Sequence, residues 1–201
     1  MVYNPLVFGH YHELAVASAP GVMRTLARLF PGAQAYVDVG AGSGAYAAEA
    51  QRLGRRVVAY ERSGLGRLLA RSQGVEARPF DLGDLPHRSD EEFDLAYCFE
   101  VAEHVDAALG DELVRFCVTQ APLVVFTAAR PGQPGTHHVN LQPRSYWIER
   151  FAAGGMTYDP GTTLRLAKGF KAEGVRSEWL ANNVMAFRAA PSDNITAVTC
   201  V

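Results

Sequence analysis

The most informative stretch of the sequence is a glycine-rich turn that begins with a carboxylate. Asp38 is followed by Gly40, Gly42 and Gly44, and these glycines let the backbone turn tightly and approach a ligand closely. The helix expected after the turn offers unpaired N–H groups at its N-terminus. A carboxylate two residues before the first glycine suits a ligand that carries an ammonium group and is poorly placed for a pyrophosphate.

Two more carboxylates follow the next two predicted strands. Glu61 comes directly after the second strand, where a carboxylate can accept hydrogen bonds from ribose hydroxyls. Asp81 follows the third strand, where it can meet the amino group of an adenine. The glycines also fit the dinucleotide fingerprint, but a nicotinamide nucleotide would not explain Asp38. An ordinary tight turn with solvated carboxylates is the remaining alternative.

A cluster of two carboxylates and an imidazole, Glu100, Glu103 and His104, follows the fourth predicted strand. If the chain turns helical there, the three side chains share one face. Two carboxylates so close repel one another unless a proton or a cation lies between them. A hard divalent cation with oxygen and imidazole ligands would remove the repulsion. A purely structural hydrogen-bonded cluster is the alternative.

The elements that must position these residues alternate between strand and helix. Hydrophobic periodicity and glycine or proline signals predict strands at 35–39, 57–60, 75–80, 93–99, 123–128 and 183–188. They predict helices at 45–53, 65–72, 105–118, 143–153 and 163–173, and one at 10–30 with a break at Pro20-Gly21. This rhythm indicates βαβ units, a mostly parallel sheet and helices on both faces. Ligands bind such sheets at the carboxyl ends of the strands.

Over residues 35–130 the sequence resembles the class I S-adenosylmethionine-dependent methyltransferases. Four features carry this resemblance together: DVGAGSG, Glu61, FDLGDLP and FDLAYCFEVAEHV. The resemblance implies an α/β, Rossmann-like, doubly wound and mostly parallel seven-stranded sheet. It implies that the turn from Asp38 to Gly44 holds the methionine part of S-adenosylmethionine, Glu61 the ribose and Asp81 the adenine, with Phe99 beside the cofactor. One domain, 1–201, would comprise a helical cap or lid (1–34), a cofactor-binding core (35–130) and a substrate side (131–201).

The segment ExxEH at 100–104 resembles metal-dependent O-methyltransferases, among them the small-RNA 2′-O-methyltransferases and the ubiquinone-pathway enzymes. In the former a histidine beyond strand five completes the site, and His138 is preferred here, with His137 the alternate. The resemblance implies Mg²⁺ or Mn²⁺ held by Glu100, Glu103, His104 and His138. Such a cation lowers the pKa of a bound hydroxyl and can chelate two neighbouring oxygens. Glu100, His104 and His138 are then the catalytic residues; a metal-free enzyme with His104 or His138 as general base is the alternative.

A chelated pair of oxygens predicts a vicinal diol or a catechol as the methyl acceptor, on a sugar or another small molecule. Four residues after the histidines are candidates for its pocket: Asn140, Arg144, Tyr146 and Trp147. For Trp147 the alternative is the apolar face of a helix packed on the sheet. The segment that carries His10, Tyr11 and His12 could cover the site, with packing or surface roles as the alternative.

Composition narrows the classes of function. The chain has 201 residues, 48% of them hydrophobic, and a net charge of -2, so it can bury a core and has no basic surface for nucleic acid. Its scattered cysteines, Cys98, Cys117 and Cys200, argue against disulfides and structural zinc.

Without a leader or an apolar run of about 20 residues, a cytoplasmic protein with no membrane contact is expected, and a homodimer is left open. A cofactor-binding module without catalysis is an alternative of a different class to the methyltransferase. A nicotinamide oxidoreductase is a third, more remote alternative.

Overall fold

The computed structural model describes residues 5–83 and 91–190. Within them, seven strands form one sheet in the order β3-β2-β1-β4-β5-β7-β6. The strands are β1 (Ala35–Val39), β2 (Arg56–Glu61), β3 (Ala77–Pro79), β4 (Leu95–Phe99), β5 (Leu123–Thr127), β6 (Met156–Tyr158) and β7 (Met185–Ala189). The helices are α1 (Pro5–Leu29), α2 (Ala45–Arg52), α3 (Gly64–Ser72), α4 (Gly110–Gln120), α5 (Arg144–Ala153), α6 (Pro160–Ala172) and α7 (Glu178–Asn183).

The pairing of the strands confirms the predicted Rossmann-like, mostly parallel sheet. Strands β1 to β5 are paired in parallel, and β7 runs antiparallel to both β5 and β6. Side chains alternate between the faces of a strand, so on β4 Cys98 enters one hydrophobic core and Tyr97 the other. Both faces of the central strands are therefore buried, as a sheet covered by helices on both sides requires.

The first helix does not break at Pro20, so the prediction of a break there is wrong. Helix α1 runs through that proline, although a proline inside a helix costs about 3 kcal/mol. Val22, Met23 and Leu26 are fully buried against the sheet, and this burial outweighs the lost hydrogen bond. Gly21 fits the same packing, because a Cβ there would lie 3.0 Å from the Cβ of Glu173.

The chain after β4 also differs from the prediction. The helix expected at 105–118 begins only at Gly110, and two single 3₁₀ turns, Ala102–His104 and Ala107–Leu109, precede it. Strand β6 and helix α7 were not predicted, because three and six residues are too short to show a period. The expected tail from 191 to 201 lies outside the described residues. Among those that are described, no helix combines the length and the apolarity that crossing a membrane requires.

Gly44, which begins α2, is expected to be essential for stability. Its φ is +75°, and a Cβ there would lie 2.8 Å from Ala70 Cβ and 2.9 Å from Ala70 Cα. Gly54 has a similar φ of +78° but open space around it. A left-handed alanine costs about 1–2 kcal/mol, and overpacking against α3 adds about 1–3 kcal/mol at Gly44 alone. Chemical denaturation should therefore show a larger loss of unfolding free energy for Gly44→Ala than for the control Gly54→Ala; equal losses would contradict the steric argument.

Candidate active site

A cavity of about 890 Å³ lies at the carboxyl ends of the parallel strands. The turns after β1, β2, β3 and β4 line it, together with parts of α1 and α7. Six of the residues predicted to bind the cofactor are among its lining residues: Asp38, Gly40, Gly42, Glu61, Asp81 and Phe99. The seventh, Gly44, is not a lining residue, and it serves as the N-cap of α2. The sequence-predicted strand-end residues are thus largely brought to one place.

Glu61 fixes the shape of the glycine turn. Its Oε2 accepts a hydrogen bond of 2.7 Å from the Gly42 N–H, and its Oε1 accepts one of 2.6 Å from the Ser63 N–H. Burial raises the pKa of Glu61, and these backbone N–H groups oppose the rise. Each carboxylate oxygen still has a lone pair, so the same group can accept hydrogen bonds from the two hydroxyls of a ribose.

Asp38 is a buried acid with incomplete hydrogen bonding. The residue is 3% exposed, and its Oδ2 has no hydrogen-bond partner among the described residues. Burial raises the pKa of Asp38 to about 8; the Tyr97 hydroxyl opposes this rise and the charge of Glu61 adds to it. An unpaired buried carboxyl oxygen is costly. An ammonium group of a ligand would supply both the missing donor and the compensating charge.

Glu100 follows β4 in a strained backbone conformation. Its φ is +52°, which is uncommon for a residue with a side chain and marks stored strain. Its N–H donates to Thr127 Oγ1 at 2.9 Å, and its two carboxylate oxygens accept from Asn183 Nδ2 at 3.2 and 3.3 Å. Contacts from β5 and α7 therefore fix the backbone and the side chain of Glu100 separately.

Glu103 is entirely buried beside Glu100. Its Oε1 accepts a hydrogen bond of 3.2 Å from the Ala129 N–H, and its Oε2 has no partner among the described residues. Burial raises the pKa of Glu103 well above its usual range, and the charge of Glu100 raises it further. The pair therefore requires a proton or a cation between the two carboxylates, as the sequence argument anticipated.

The histidines complete this cluster with two different roles. The Nδ1 of His104 lies 3.2 Å from the carbonyl oxygen of His137, a residue whose φ of +57° is in the left-handed region. Burial lowers the pKa of His104 and so favours its neutral ring. When Nδ1 of the neutral ring donates to the carbonyl, Nε2 carries the lone pair. The ring of His138 is 5.2 Å from that of His104, and its Nδ1 is buried without a partner among the described residues.

The structure brings three of the four predicted metal ligands into one group. Ligand atoms of Glu103, His104 and His138 lie within 4.8 Å of one another. Glu100 interacts with Glu103 at the edge of this group. Of the two alternatives for the last ligand, His138 places a ring nitrogen in the group, whereas His137 contributes its carbonyl to His104.

The structure places the four predicted acceptor residues, Asn140, Arg144, Tyr146 and Trp147, outside the cavity lining. Trp147 is 1% exposed and packs 5.2 Å from the ring of Phe126, which fits the packing alternative. Arg144 donates to the hydroxyl of Tyr158 at 3.0 Å. The N–H of Asn140 donates to the Glu103 carbonyl at 3.1 Å. Asn140 therefore supports Glu103 from outside the cavity, and none of the four residues is among the cavity's lining residues.

Several cavity residues escaped the sequence analysis. Tyr46 and Trp179 line the cavity beside Tyr11 and His12 of the suspected lid. Tyr46 packs 5.3 Å from the ring of Phe99; its place in the first turn of α2, directly after the glycines, was a usable signal. No sequence signal pointed to Trp179, because helix α7 was not predicted.

Comparisons with known proteins agree with this geometry. Residues 37–120 match the family model described as "Methyltransferase domain". The S-adenosylmethionine-bound amino pentose methyltransferase CalS10 from Micromonospora echinaspora shares 15% identity and a TM-score of 0.67, over 94% of this chain and 99% of its own. DesVI from Streptomyces venezuelae shares 13% identity and a TM-score of 0.66, over 94% and 100%. The sugar N-methyltransferase KedS8 from a Streptoalloteichus species shares 18% identity and a TM-score of 0.61, over 79% and 89%. No curated protein gives a significant match.

The fold and the strand-end cavity define a class I methyltransferase architecture. The methyltransferase domain matched over residues 37–120 and this shared fold support the S-adenosylmethionine-dependent methyltransferase that the sequence predicted.

Binding of the demethylated product, S-adenosylhomocysteine, is expected to strengthen as the pH rises from 6 to about 7.5. Below its pKa of about 8, Asp38 carries a proton that must leave before the carboxylate can pair with the ammonium group of the ligand. Affinity should therefore rise with pH, by up to about tenfold per unit. It should level off near pH 8, where Asp38 is already deprotonated before the ligand binds.

Calorimetry between pH 6 and 8 provides the measurement, with two controls. The variant Asp38→Asn should bind more weakly and lose the dependence. The analogue 5′-methylthioadenosine, which lacks the amino acid part, should bind wild-type protein with little pH dependence. An equal pH dependence for both ligands would refute the assignment of Asp38 to the ammonium group.

Proposed function

We propose that the protein is an O-methyltransferase that methylates one hydroxyl of a vicinal diol or a catechol, on a sugar or another small molecule, with the aid of a divalent cation. The observation that carries the proposal is the group formed by Glu103, His104 and His138, whose ligand atoms lie within 4.8 Å of one another. It adjoins the cavity that contains Asp38 and Glu61.

The donor set fits Mg²⁺ or Mn²⁺. Carboxylate oxygens and neutral imidazoles suit these cations, and Glu103 Oε2 and His138 Nδ1 are buried polar atoms without partners among the described residues. Glu103, His104 and His138 would hold the ion, with Glu100 beside them. A bound cation would supply a lowered pKa for an attached hydroxyl and a second coordination site for the neighbouring oxygen.

The chain's own residues supply alignment. Methyl transfer from a sulfonium is an in-line displacement: the acceptor oxygen bonds to the methyl carbon as the carbon–sulfur bond breaks, and the sulfur keeps the electron pair. Asp38 would hold the methionine part and Glu61 the ribose, which flank the sulfonium, so the methyl group can be directed toward the Glu100–Glu103 pair. This positioning accounts for a large part of the expected rate. A hydroxyl whose pKa the cation lowers would lose its proton to water. His104 would use its ring lone pair to hold the cation, so it acts as general base only in the metal-free alternative.

Chelation combined with an acceptor panel tests the proposal. Enzyme stripped with excess chelator should lose methyl transfer from radiolabelled S-adenosylmethionine, and Mg²⁺ or Mn²⁺ should restore it. Catechols and vicinal sugar diols should be methylated in preference to matched monohydroxyl compounds and amines. Full activity in excess chelator would reject the cation, and preference for amines would reject O-methylation.

A metal-free methyltransferase is the second candidate. The contact between His104 Nδ1 and the His137 carbonyl favours it, since it prepares Nε2 as a general base. Two of the structural neighbours are described as an amino pentose methyltransferase and a sugar N-methyltransferase, so an amine on a sugar is the natural acceptor in this case. A Glu100→Ala variant that keeps its rate in the presence of chelator would favour this candidate.

A further inference from the structure

Asn183, the last residue of α7, is a buried amide that the sequence analysis did not single out. It is 1% exposed. Its Nδ2 lies 3.2 and 3.3 Å from the two carboxylate oxygens of Glu100, and 3.0 Å from Oε1 of Gln133. Gln133 lines the cavity, so a chain of hydrogen bonds runs from Glu100 through Asn183 to the cavity wall.

The direction of this chain follows from which groups can donate. A carboxylate only accepts hydrogen bonds, so the amide edge of Asn183 that faces Glu100 must be its NH₂ group. One hydrogen is shared by the two oxygens of Glu100, and the other remains for Gln133. Gln133 must then present its oxygen to Asn183. Its own NH₂ group is left to donate elsewhere, and no acceptor for it is found among the described residues.

We propose that Asn183 is a positioning residue that holds the Glu100 carboxylate toward the cation site and turns the Gln133 amide so that it offers N–H donors to the methyl acceptor. The buried Oδ1 of Asn183 has no partner in the described part of the chain. The orientation of the Asn183 side chain is therefore set by the hydrogen bonds that its nitrogen donates to Glu100 and Gln133. A donor on the cavity wall favours acceptors that carry a second oxygen over those that carry an ammonium group.

The first test measures cation affinity and rests on the proposed cation site. Mn²⁺ binding to the S-adenosylhomocysteine complex is followed by electron paramagnetic resonance for wild type, Asn183→Ala and the control Asn182→Ala, which alters the exposed neighbour on the same helix. Loss of such a supporting hydrogen bond typically weakens metal binding 10–100-fold. We expect at least a tenfold rise in the Mn²⁺ dissociation constant for Asn183→Ala and less than twofold for Asn182→Ala. The affinity for S-adenosylhomocysteine should stay within twofold in both variants.

Unchanged Mn²⁺ affinity in Asn183→Ala would overturn the inference while the cation proposal stands. If wild type fails to bind Mn²⁺, the cation proposal itself falls and the positioning role falls with it. The two failures are therefore distinguished by the wild-type measurement alone.

The second test needs no cation and no folded Asn183 variant. In ¹⁵N-labelled wild type with S-adenosylhomocysteine, nuclear magnetic resonance reports hydrogen exchange of side-chain NH₂ groups, and the variant Gln133→Glu assigns the Gln133 signals by their disappearance. The NH₂ of Asn183 should be protected from exchange, whereas that of Gln133 should exchange rapidly with solvent in the cavity. The reverse pattern, with Gln133 protected and Asn183 exchanging, would overturn the proposed direction of the hydrogen bonds.

Discussion

Replacement of Glu103 by alanine is expected to lower kcat/KM for methyl transfer at least about 1000-fold, or roughly 4 kcal/mol of transition-state stabilisation. Glu103 contributes an oxygen to the group formed with His104 and His138, and its Oε1 also accepts from the Ala129 N–H. The substitution removes a charged ligand and leaves a buried backbone donor unpaired, so both the cation site and the loop after β5 are affected.

Two matched variants separate these contributions. Glu103→Gln keeps an oxygen for the Ala129 N–H but removes the charge, so it should fold like wild type and still lose most of the activity and the Mn²⁺ binding. Glu112→Ala removes a partly exposed carboxylate on α4 that pairs with Arg115 and should leave kcat/KM within about twofold. Activity in Glu103→Gln close to wild type would show that the negative charge is not required, and the cation proposal would then be untenable.

Replacement of Glu61 by alanine is expected to weaken binding of S-adenosylhomocysteine by about 100-fold or more. Hydrogen bonds to a charged group contribute about 1.5–3 kcal/mol each, and the carboxylate is placed to accept two from the ribose. It also holds the N–H groups of Gly42 and Ser63, so its loss loosens the turn that surrounds the ligand. Both effects lower affinity.

Titration calorimetry of variants at fixed pH measures this loss. Glu76→Ala, which removes an exposed carboxylate just before β3, is the control and should bind like wild type. The affinity of Glu61→Gln should lie between those of Glu61→Ala and the control. One side-chain oxygen remains to accept a hydrogen bond, but the new NH₂ group faces a backbone N–H, which is also a donor. If Glu61→Ala bound the ligand within threefold of wild type, the ribose would have to be held elsewhere.

The nucleoside half of the site was predictable from the sequence because it follows local rules. Asp38, Glu61 and Asp81 come directly after strands whose hydrophobic runs are visible, and parallel strands end at one edge of the sheet. The position of a carboxylate along the chain therefore fixes its place in the cavity to within a residue or two.

The acceptor half was less predictable because it depends on long-range packing. Trp147 follows the histidines in sequence, yet the core between α5 and the sheet takes it away from the cavity. Asn183 lies 83 residues from Glu100, on a helix too short to show a hydrophobic period. No local sequence pattern therefore predicts their contact. The backbone at Glu100 and His137 is left-handed, which sequence alone rarely reveals for residues other than glycine.

The cavity concentrates acids that prefer to keep their protons. Burial raises the pKa of Asp38, Glu61, Glu100 and Glu103, whereas in an unfolded chain such groups titrate near pH 4. Between pH 4 and about 8, where Asp38 loses its proton, the folded protein binds more protons than the unfolded chain, so this contribution to stability declines as the pH rises. Ligands that bring positive charge reverse the decline. Melting curves recorded in mildly alkaline buffer should thus report directly whether a ligand occupies the cavity. Methyl donors, cations and hydroxylated compounds can then be ranked by the increase in melting temperature that each one causes.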